Sequence, residues 1–164
     1  MSDAIFIRDY APTDQAALIR LVQELQRFEA PFFDRLVPAS EIGPWYVERL
    51  LAGCAKSKGF IRIATRDHAV AGYSTILTEV AADVTDDPGV VAFSYAYIGE
   101  LCVAPAERSG GIGQRLIADG EAIARGAGAK WLCIGSLAAN ERACRIYRAA
   151  GFREHRIVFE KALD

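Results

Sequence analysis

The sequence YIGELCVAPAERSGGIGQRL, residues 97–116, predicts a strand, a glycine-rich turn and a helix, in that order. Ile98, Leu101 and Val103 indicate the strand, which ends at Pro105 because proline cannot donate to a sheet ladder. Beyond the glycines, apolar residues recur at the spacing of one helical face: Ile112, Leu116, Ile117, Ile123, Ala124 and Ala127. The predictions of the fold and of the functional site below start from this strand–turn–helix unit.

The glycine-rich turn has the properties of an anion site. Gly110, Gly111 and Gly113 allow the backbone to approach a ligand closely and to adopt positive φ angles. The first amides of the following helix have no intrahelical partner, and the helix dipole adds partial positive charge there. The turn therefore predicts a phosphate or pyrophosphate site, with an ordinary strand-to-helix turn as the alternative.

Two common phosphate motifs do not fit this turn. A P-loop would continue with Lys and Ser or Thr where this chain has Gln114 and Arg115. A dinucleotide fingerprint would have Gly or Ala at the position of Leu116. By contrast, Arg108-Ser-Gly-Gly-Ile-Gly113, preceded by Leu101-x-Val103-x-Pro105, resembles the cofactor loop of the GCN5-related N-acetyltransferases, the GNAT family.

A second stretch, Asn140-x-x-Ala143-x-x-Ile146-Tyr147-x-x-x-Gly151-Phe152, resembles the other cofactor motif of that family. The resemblance implies that acetyl-coenzyme A (acetyl-CoA) is the cofactor and that the loop amides hold its pyrophosphate. The cofactor-binding residues that it implies are Leu101, Cys102, Val103, Arg108, Ser109, Gly110, Gly111, Ile112, Gly113, Gln114, Asn140, Ala143 and Tyr147. Arg108 is either a phosphate contact or a solvated residue.

The resemblance implies two roles in the second motif, and each has a structural alternative. Asn140 would bond the pantetheine arm, or would only cap the helix that it precedes. Tyr147 would be the general acid at the cofactor sulfur, or would only pack under Gly151 and Phe152. The motif alone does not separate these alternatives.

Glu100 is the candidate general base. If Leu101 and Val103 face the core, strand alternation places Glu100 and Cys102 on the opposite face, where an acceptor would approach. The alternatives are a solvated or ion-paired Glu100 and a Cys102 that only packs, rather than acting as a nucleophile.

The acceptor-binding residues are expected in the first half of the chain, since the family closes its first two helices over the acceptor. Together with Glu100, the candidates are Phe28, Glu29, Phe32 and Phe33. Rings and carboxylates would suit a cationic amine, although the rings could equally be core residues. Trp45, Tyr46 and the acidic segment with Asp83, Asp86 and Asp87 belong to the same region.

The element pattern β-α-α-β-β-β-α-β-α-β resembles the GNAT fold over residues 1–164, which we expect to form one domain. That fold is α/β (α+β): a central mixed, mostly antiparallel sheet of six to seven strands, flanked by about four helices and splayed between its two central strands. A last strand is predicted over Phe152–Lys161, where Ile157 and Phe159 alternate with polar neighbours.

Composition excludes several classes of protein. A hydrophobic content of 52% argues against disorder, and no apolar run reaches the roughly 20 residues of a membrane span. The N-terminus lacks the pattern of a signal peptide, so a cytoplasmic location is expected. The four cysteines form no CxxC pair and are expected to be reduced, and the two histidines lack a ligand cluster, so no metal site is expected.

The net charge of −2 indicates no general attraction to nucleic acid. The half of the chain from Arg108 onwards is net basic and the half before it is net acidic. The leading expectation is therefore an acetyl-CoA-dependent N-acetyltransferase that transfers directly to a small cationic amine. Acetylation of a protein lysine or N-terminus and a non-catalytic acyl-CoA sensor are the alternatives, and a homodimer is plausible.

Overall fold

The computed structural model describes residues 4–83 and 89–163. Its strands are β1 (Ile5–Asp9), β2 (Phe60–Arg66), β3 (Ala69–Ala81), β4 (Ser94–Val103) and β5 (Leu132–Ile134). Its helices are α1 (Gln15–Glu29), α2 (Pro44–Lys56), α3 (Ile112–Gly126) and α4 (Glu141–Ala149). Three 3₁₀ turns precede α1, α2 and α3, at Pro12–Asp14, Ala39–Glu41 and Pro105–Glu107. Asp86 and Asp87 lie outside the described residues.

The five strands form one sheet in the order β1-β2-β3-β4-β5. The first four strands pair antiparallel, and β5 pairs parallel to β4. The predicted fold class, a mixed and mostly antiparallel sheet with four flanking helices, is confirmed. The described part of the chain has five strands rather than the six to seven expected.

Helices cover both faces of the sheet. On one face, α1 and α2 bury Leu18 and Val47 against Tyr73, and each of these residues is 0% exposed. On the other face, Ile98 and Ile117 belong to the core beneath α3. Strand β4 lies between β3 and β5, which is the last strand of the described sheet, and the candidate site lies along β4 and β5.

The last predicted strand is wrong. Residues 152–163 form neither a helix nor a strand. Within this segment, which we call the tail, Ile157 is 64% exposed, Val158 83% and Phe159 90%. Alternation of side chains is a local signal, whereas a strand also needs a neighbouring strand to receive its backbone hydrogen bonds. Among residues 4–83 and 89–163, no strand pairs with the tail.

The described residues contain four free cysteines, of which Cys54 and Cys102 are buried. No helix among these residues combines the length and the apolar character that crossing a membrane requires.

Candidate active site

A β-bulge in β4 gives Glu100 its position. Ser74 pairs with Leu101 and Ile76 with Ile98, so two residues of β4, Gly99 and Glu100, lie opposite Thr75 alone. The amide of Glu100 donates to Thr75 Oγ1 at 2.9 Å. A Cβ atom on residue 99 would lie 2.9 Å from the same oxygen, so a larger residue there would displace the Thr75 hydroxyl.

The Glu100 carboxylate accepts hydrogen bonds from two phenols. Tyr46 Oη on α2 donates to Oε1 at 2.7 Å, and Tyr73 Oη on β3 donates to Oε2 at 2.6 Å. Burial, and then the charge of Glu100, raise the pKa values of both phenols, so both stay protonated and remain donors. The carboxylate is thus held between a helix and the sheet, on the face where α1 and α2 pack.

Cys102 lies on the same face as Glu100, as alternation predicts, but it is buried in the core at 4% exposure. Burial raises the pKa of its thiol to about 12. A protonated, enclosed thiol is a poor nucleophile, and the packing alternative fits this geometry better.

Strands β4 and β5 separate just before the bulge. They pair over only three positions, the last of which joins Ile98 to Ile134. Gly99 and Gly135 follow at the point of separation, and a Cβ on residue 135 would lie 2.8 Å from the hydroxyl of Tyr97. The separation matches the splay that the GNAT resemblance implies, and Glu100 lies directly beyond it in the chain.

The glycine loop follows β4 and leads into α3. Gly111 is the N-cap of α3 with φ 81°, and Ser109 also has a positive φ of 69°. The first described backbone bond of the helix runs from the Arg115 amide to the Gly111 carbonyl at 3.1 Å. The amides of Ile112, Gly113 and Gln114 precede that bond, as expected of a helix N-terminus suited to an anion.

Arg108 packs against α1 rather than extending into solvent. Its Nη2 donates to Glu24 Oε1 at 3.3 Å, and its guanidinium carbon lies 5.2 Å from the centre of the Phe28 ring. Its Nε donates to the Val103 carbonyl at 3.2 Å, so that carbonyl already has a protein donor. The side chain therefore ties the end of β4 to α1, a contact that sequence reasoning did not include.

Asn140 caps α4. Its side-chain oxygen accepts a bond from the Ala143 amide at 3.1 Å, and the residue is 9% exposed. Asn140 therefore caps the helix, the cap uses only the oxygen of the side-chain amide, and a bond from Asn140 to the pantetheine arm stays a prediction.

Tyr147 lies in the core between α4 and the sheet. Its ring packs edge-on against Phe152 with 6.3 Å between centroids, which agrees with the packing interpretation. Burial, followed by the charge of Glu29, raises the pKa of its phenol to about 12. The phenol thus carries its proton at neutral pH, which a general acid requires.

The acceptor candidates lie at the end of α1 and in the turn after it. Phe28 and Phe32 pack edge-on with 5.8 Å between centroids, and the guanidinium of Arg35 lies 4.6 Å from the centre of the Phe33 ring. Burial, and then the charge of Glu100, raise the pKa of Glu29. The effect of Glu100 on Glu29 indicates that these two carboxylates lie near each other, whereas Phe28 lies against Arg108 and Phe33 against Arg35.

Sequence reasoning missed Tyr73 and Thr75, the two β3 residues that bind Glu100. Both residues lie in a largely apolar run that predicts a strand, and nothing in that run indicates that their hydroxyl groups bind another residue. Pairing β3 with β4 in register would have placed Thr75 opposite the bulge. Tyr46 was included in the acceptor region, but its bond to Glu100 was not foreseen.

The comparisons with known proteins agree with this geometry. The profile of the Acetyltransferase (GNAT) family matches residues 20–152. A search of curated protein sequences found no significant match.

Several solved structures have the same fold at low sequence identity. A mutant of the BH1408 protein from Bacillus halodurans has a TM-score of 0.83 and 20% identity, with 96% of this chain and 99% of that chain covered. The aminoglycoside N-acetyltransferase AAC(6′)-Iy, in complex with CoA, has a TM-score of 0.72 and 18% identity, with 99% and 97% covered. The aminoglycoside 6′-N-acetyltransferase AAC(6′)-IG from Acinetobacter haemolyticus has a TM-score of 0.68 and 19% identity, with 97% and 99% covered.

The family match spans most of the 164 residues, and the splayed strands, glycine loop and helix lie within it. The chain therefore belongs to the GNAT acetyltransferase family and is an N-acetyltransferase.

Proposed function

We propose that the protein uses acetyl-CoA to acetylate the primary amine of a small cationic molecule, by direct transfer. The observation that carries this proposal is the cradle formed by Ser109, Gly111 and the first turn of α3, next to the separation of β4 and β5. A left-handed N-cap followed by amides that precede the first helical bond fits a pyrophosphate. The neighbouring separation fits an extended arm lying along a strand.

The cradle passes a steric test for this cofactor. With φ of 81°, residue 111 has a conformation that favours glycine, and a Cβ on residue 110 would lie 2.7 Å from Arg66 Nη2. Arg66 donates to the Gly110 carbonyl and to Glu107, which fixes the loop from outside. The backbone itself is thus left to face an anion. When bound, the cofactor supplies the activated acetyl thioester.

Two side chains would move protons during the transfer. Glu100 would accept the proton of the attacking amine, directly or through a water, and the phenols of Tyr46 and Tyr73 would keep its carboxylate in place. Tyr147 would donate its phenolic proton at the leaving sulfur. Its raised pKa supports this role because the proton is retained throughout the physiological pH range.

A cationic acceptor is supported by the charges around Glu100. In the described part of the chain, neither Glu29 nor Glu100 forms an ion pair with Lys or Arg. The charge of Glu100 raises the pKa of Glu29, so a bound ammonium would relieve an unfavourable interaction. The aminoglycosides named for two structural neighbours are molecules of this chemical class. The free cysteines also suit a reducing, cytoplasmic compartment.

Calorimetry with CoA and acetyl-CoA, followed by a thiol-release assay over a panel of amines, tests the proposal. The panel contains aminoglycosides, polyamines, amino acids, a lysine peptide and a neutral aromatic amine. We expect micromolar cofactor binding and turnover that favours the polycationic small amines. Turnover of the peptide alone would indicate a protein acetyltransferase, and binding without turnover of any amine would indicate a sensor.

Tyr147→Phe tests the acid. We expect kcat to fall by about 100-fold, in the usual range for a general acid, with CoA affinity changed less than about threefold. Tyr10→Phe is the matched control, because Tyr10 packs at the edge of the α1–α2 core and its ring is retained. Unchanged turnover in Tyr147→Phe would refute the assignment.

A further inference from the structure

Arg108 joins the end of β4 to the first helix. Its Nε donates to the Val103 carbonyl at 3.2 Å, its Nη2 donates to Glu24 Oε1 at 3.3 Å, and its guanidinium carbon lies 5.2 Å from the centre of the Phe28 ring. Glu24 and Phe28 are four positions apart in α1 and therefore lie on the same face of that helix. One planar side chain thus connects this face of α1 to β4.

The Val103 carbonyl lies on the open edge of β4. Val103 pairs with Gly72, and the amide of the residue after Val103 donates to the Ala71 carbonyl at 2.8 Å. This pattern identifies a non-hydrogen-bonded pair, in which the backbone groups of both residues point away from the partner strand. The carbonyl therefore faces the side of β4 on which the pairing with β5 ended at Ile98. Arg108 donates to the same edge along which an extended cofactor arm would lie.

The charge of Arg108 is already matched by its neighbours. The side chains of Arg108 and Glu24 are 25% and 26% exposed, so solvent reaches only part of this ion pair. The Phe28 ring adds a cation–π contact to the same guanidinium. To reach a phosphate of the cofactor, the side chain would have to give up these contacts. The helix N-terminus and the loop amides suit an anion without it.

We propose that Arg108 is a positioning residue for acetyl transfer: it fixes the cofactor edge of β4 relative to the acceptor side of α1. This role replaces the phosphate contact that the family resemblance implies for Arg108. The inference rests on the proposed function, because it requires an acceptor beside the end of α1. It assigns a part in the reaction to Glu24, which anchors Arg108 from α1.

The positions of the two partners explain why such a link matters. The acceptor candidates Phe28 and Glu29 lie about one turn after Glu24 in α1, whereas β4 would hold the thioester. The reacting atoms must approach to about 3–3.5 Å, and a displacement of about 1 Å can lower the rate by about 100-fold. A loosened contact between α1 and β4 should therefore impair transfer far more than it impairs cofactor binding.

Two substitutions distinguish a positioning residue from a phosphate ligand. Arg108→Lys keeps the positive charge that a phosphate needs, but a single ammonium cannot reproduce the planar fork that bonds both Val103 and Glu24. Glu24→Gln leaves Arg108 in place and removes its charged partner. Arg27→Gln is the matched control, because Arg27 pairs with the same carboxylate at 3.6 Å but from a side chain that is 57% exposed.

Calorimetry with CoA tests the role at the phosphate separately from turnover. We expect the Kd for CoA to stay within about threefold of the wild type in Arg108→Gln, Arg108→Lys and Glu24→Gln, because the loop backbone holds the anion. A Kd that rises by about tenfold or more in Arg108→Gln and returns towards the wild-type value in Arg108→Lys would identify a phosphate ligand and overturn the proposal.

Steady-state kinetics with the best amine of the panel test the positioning itself. Both Arg108 variants should lower kcat/KM for the amine by about 30-fold to 100-fold and change KM for acetyl-CoA by less than about threefold. Glu24→Gln should lower kcat/KM for the amine by about tenfold, and the double variant Glu24→Gln/Arg108→Gln should be no worse than Arg108→Gln alone. Arg27→Gln should stay within about twofold of the wild type. Unchanged kinetics in Arg108→Gln would overturn the proposal.

Hydrogen exchange of residues 25–29 gives a readout that needs neither cofactor nor acceptor. We expect faster exchange at this end of α1 in Arg108→Lys and Glu24→Gln than in Arg27→Gln, and a circular dichroism spectrum verifies that each variant is folded. A wild type that binds CoA but acetylates no amine would refute the proposed function. Exchange as slow in the Arg108 and Glu24 variants as in the wild type would refute the link between α1 and β4, whatever the turnover.

Discussion

Tyr73→Phe should destabilise the protein through the loss of a single hydrogen bond. The Tyr73 ring is 0% exposed, and its hydroxyl donates to the Glu100 carboxylate at 2.6 Å. Hydrogen bonds to charged groups contribute about 1.5–3 kcal/mol, and an enclosed site hinders water from replacing the lost donor. We therefore expect the free energy of unfolding to fall by about 2 kcal/mol, which is about 4–8 °C in Tm for a chain of this size.

Urea denaturation followed by circular dichroism measures this change. Tyr46→Phe removes the second donor to the same carboxylate, from a more exposed position, and should cost about 1 kcal/mol. Tyr10→Phe serves as the control for removal of a tyrosine hydroxyl and should stay within about 0.5 kcal/mol of the wild type.

A double-mutant cycle with Glu100→Gln assigns the effect to the bond. The Tyr73→Phe penalty should shrink by about 1 kcal/mol or more when the acceptor is no longer charged. Refutation would be a Tyr73→Phe variant as stable as the wild type, or a penalty of the same size in both backgrounds. Either result would mean that the two phenols do not hold the carboxylate.

Three further predictions concern the loop and the titrating groups. Gly111→Ala should lower CoA affinity by about tenfold, because a left-handed conformation costs a non-glycine residue about 1–2 kcal/mol. Calorimetry measures the affinity, and Gly126→Ala is the control because no atom lies within 4 Å of a Cβ at that position. Burial raises the pKa of Tyr147 to about 12. The contribution of its neutral phenol to the free energy of unfolding is therefore complete below about pH 10 and is lost as the pH rises towards 12. Unfolding measured at stepped alkaline pH should show a decrease of about 2–3 kcal/mol in that free energy, and Tyr147→Phe should not show it. The hydrogen bond from Arg8 lowers the pKa of Asp14, so the stabilisation by this ion pair is present above about pH 4 and is lost as the pH falls through the lowered pKa. Asp14→Asn should lower the free energy of unfolding by about 1 kcal/mol at pH 7 and by progressively less in acid. Urea denaturation midpoints measured over this pH range provide the test.

Local signals in the sequence were sufficient for the order of strand, turn and helix around the glycine loop and for the conformation of that loop. Pro44 is the first residue of α2, which is the position in a helix that proline favours. Gly111 has the positive φ that the glycine-rich turn predicted, and Gly151 has one just after α4. Each of these features depends on residues within a few positions of one another, so a sequence read in order can reveal it.

The environment of Glu100 could not be predicted in the same way. Its two phenol donors lie 27 and 54 positions away in the chain, on a strand and on a helix. Only the register of β3 against β4 and the packing of α2 bring them together. The alternation of side chains predicted the correct face for Glu100, but it did not predict the hydrogen bonds from Tyr46 and Tyr73.

The tail shows the opposite error. Its residues have the local character of a strand, and that character led to the prediction of a strand over residues 152–161. A strand is a property of two neighbouring segments, and the sequence of one segment contains no information about whether the other is present.

The extra residue at the bulge in β4 shifts which residues of the strand, even-numbered or odd-numbered, face α3. Before the bulge the even-numbered residues Ala96 and Ile98 belong to the core beneath α3, and after it the odd-numbered Leu101 and Val103 pack on that side. If β4 kept Gly99 in regular alternation without a bulge, Ile98 and Glu100 would point to the same face of the sheet, and one of them would lie in the wrong layer. If Gly99 were deleted, Glu100 would follow Ile98 directly, and ordinary alternation would still place these two side chains on opposite faces. The bulge therefore accommodates Gly99 without changing these faces, and it gives the Glu100 amide its hydrogen bond to Thr75 Oγ1.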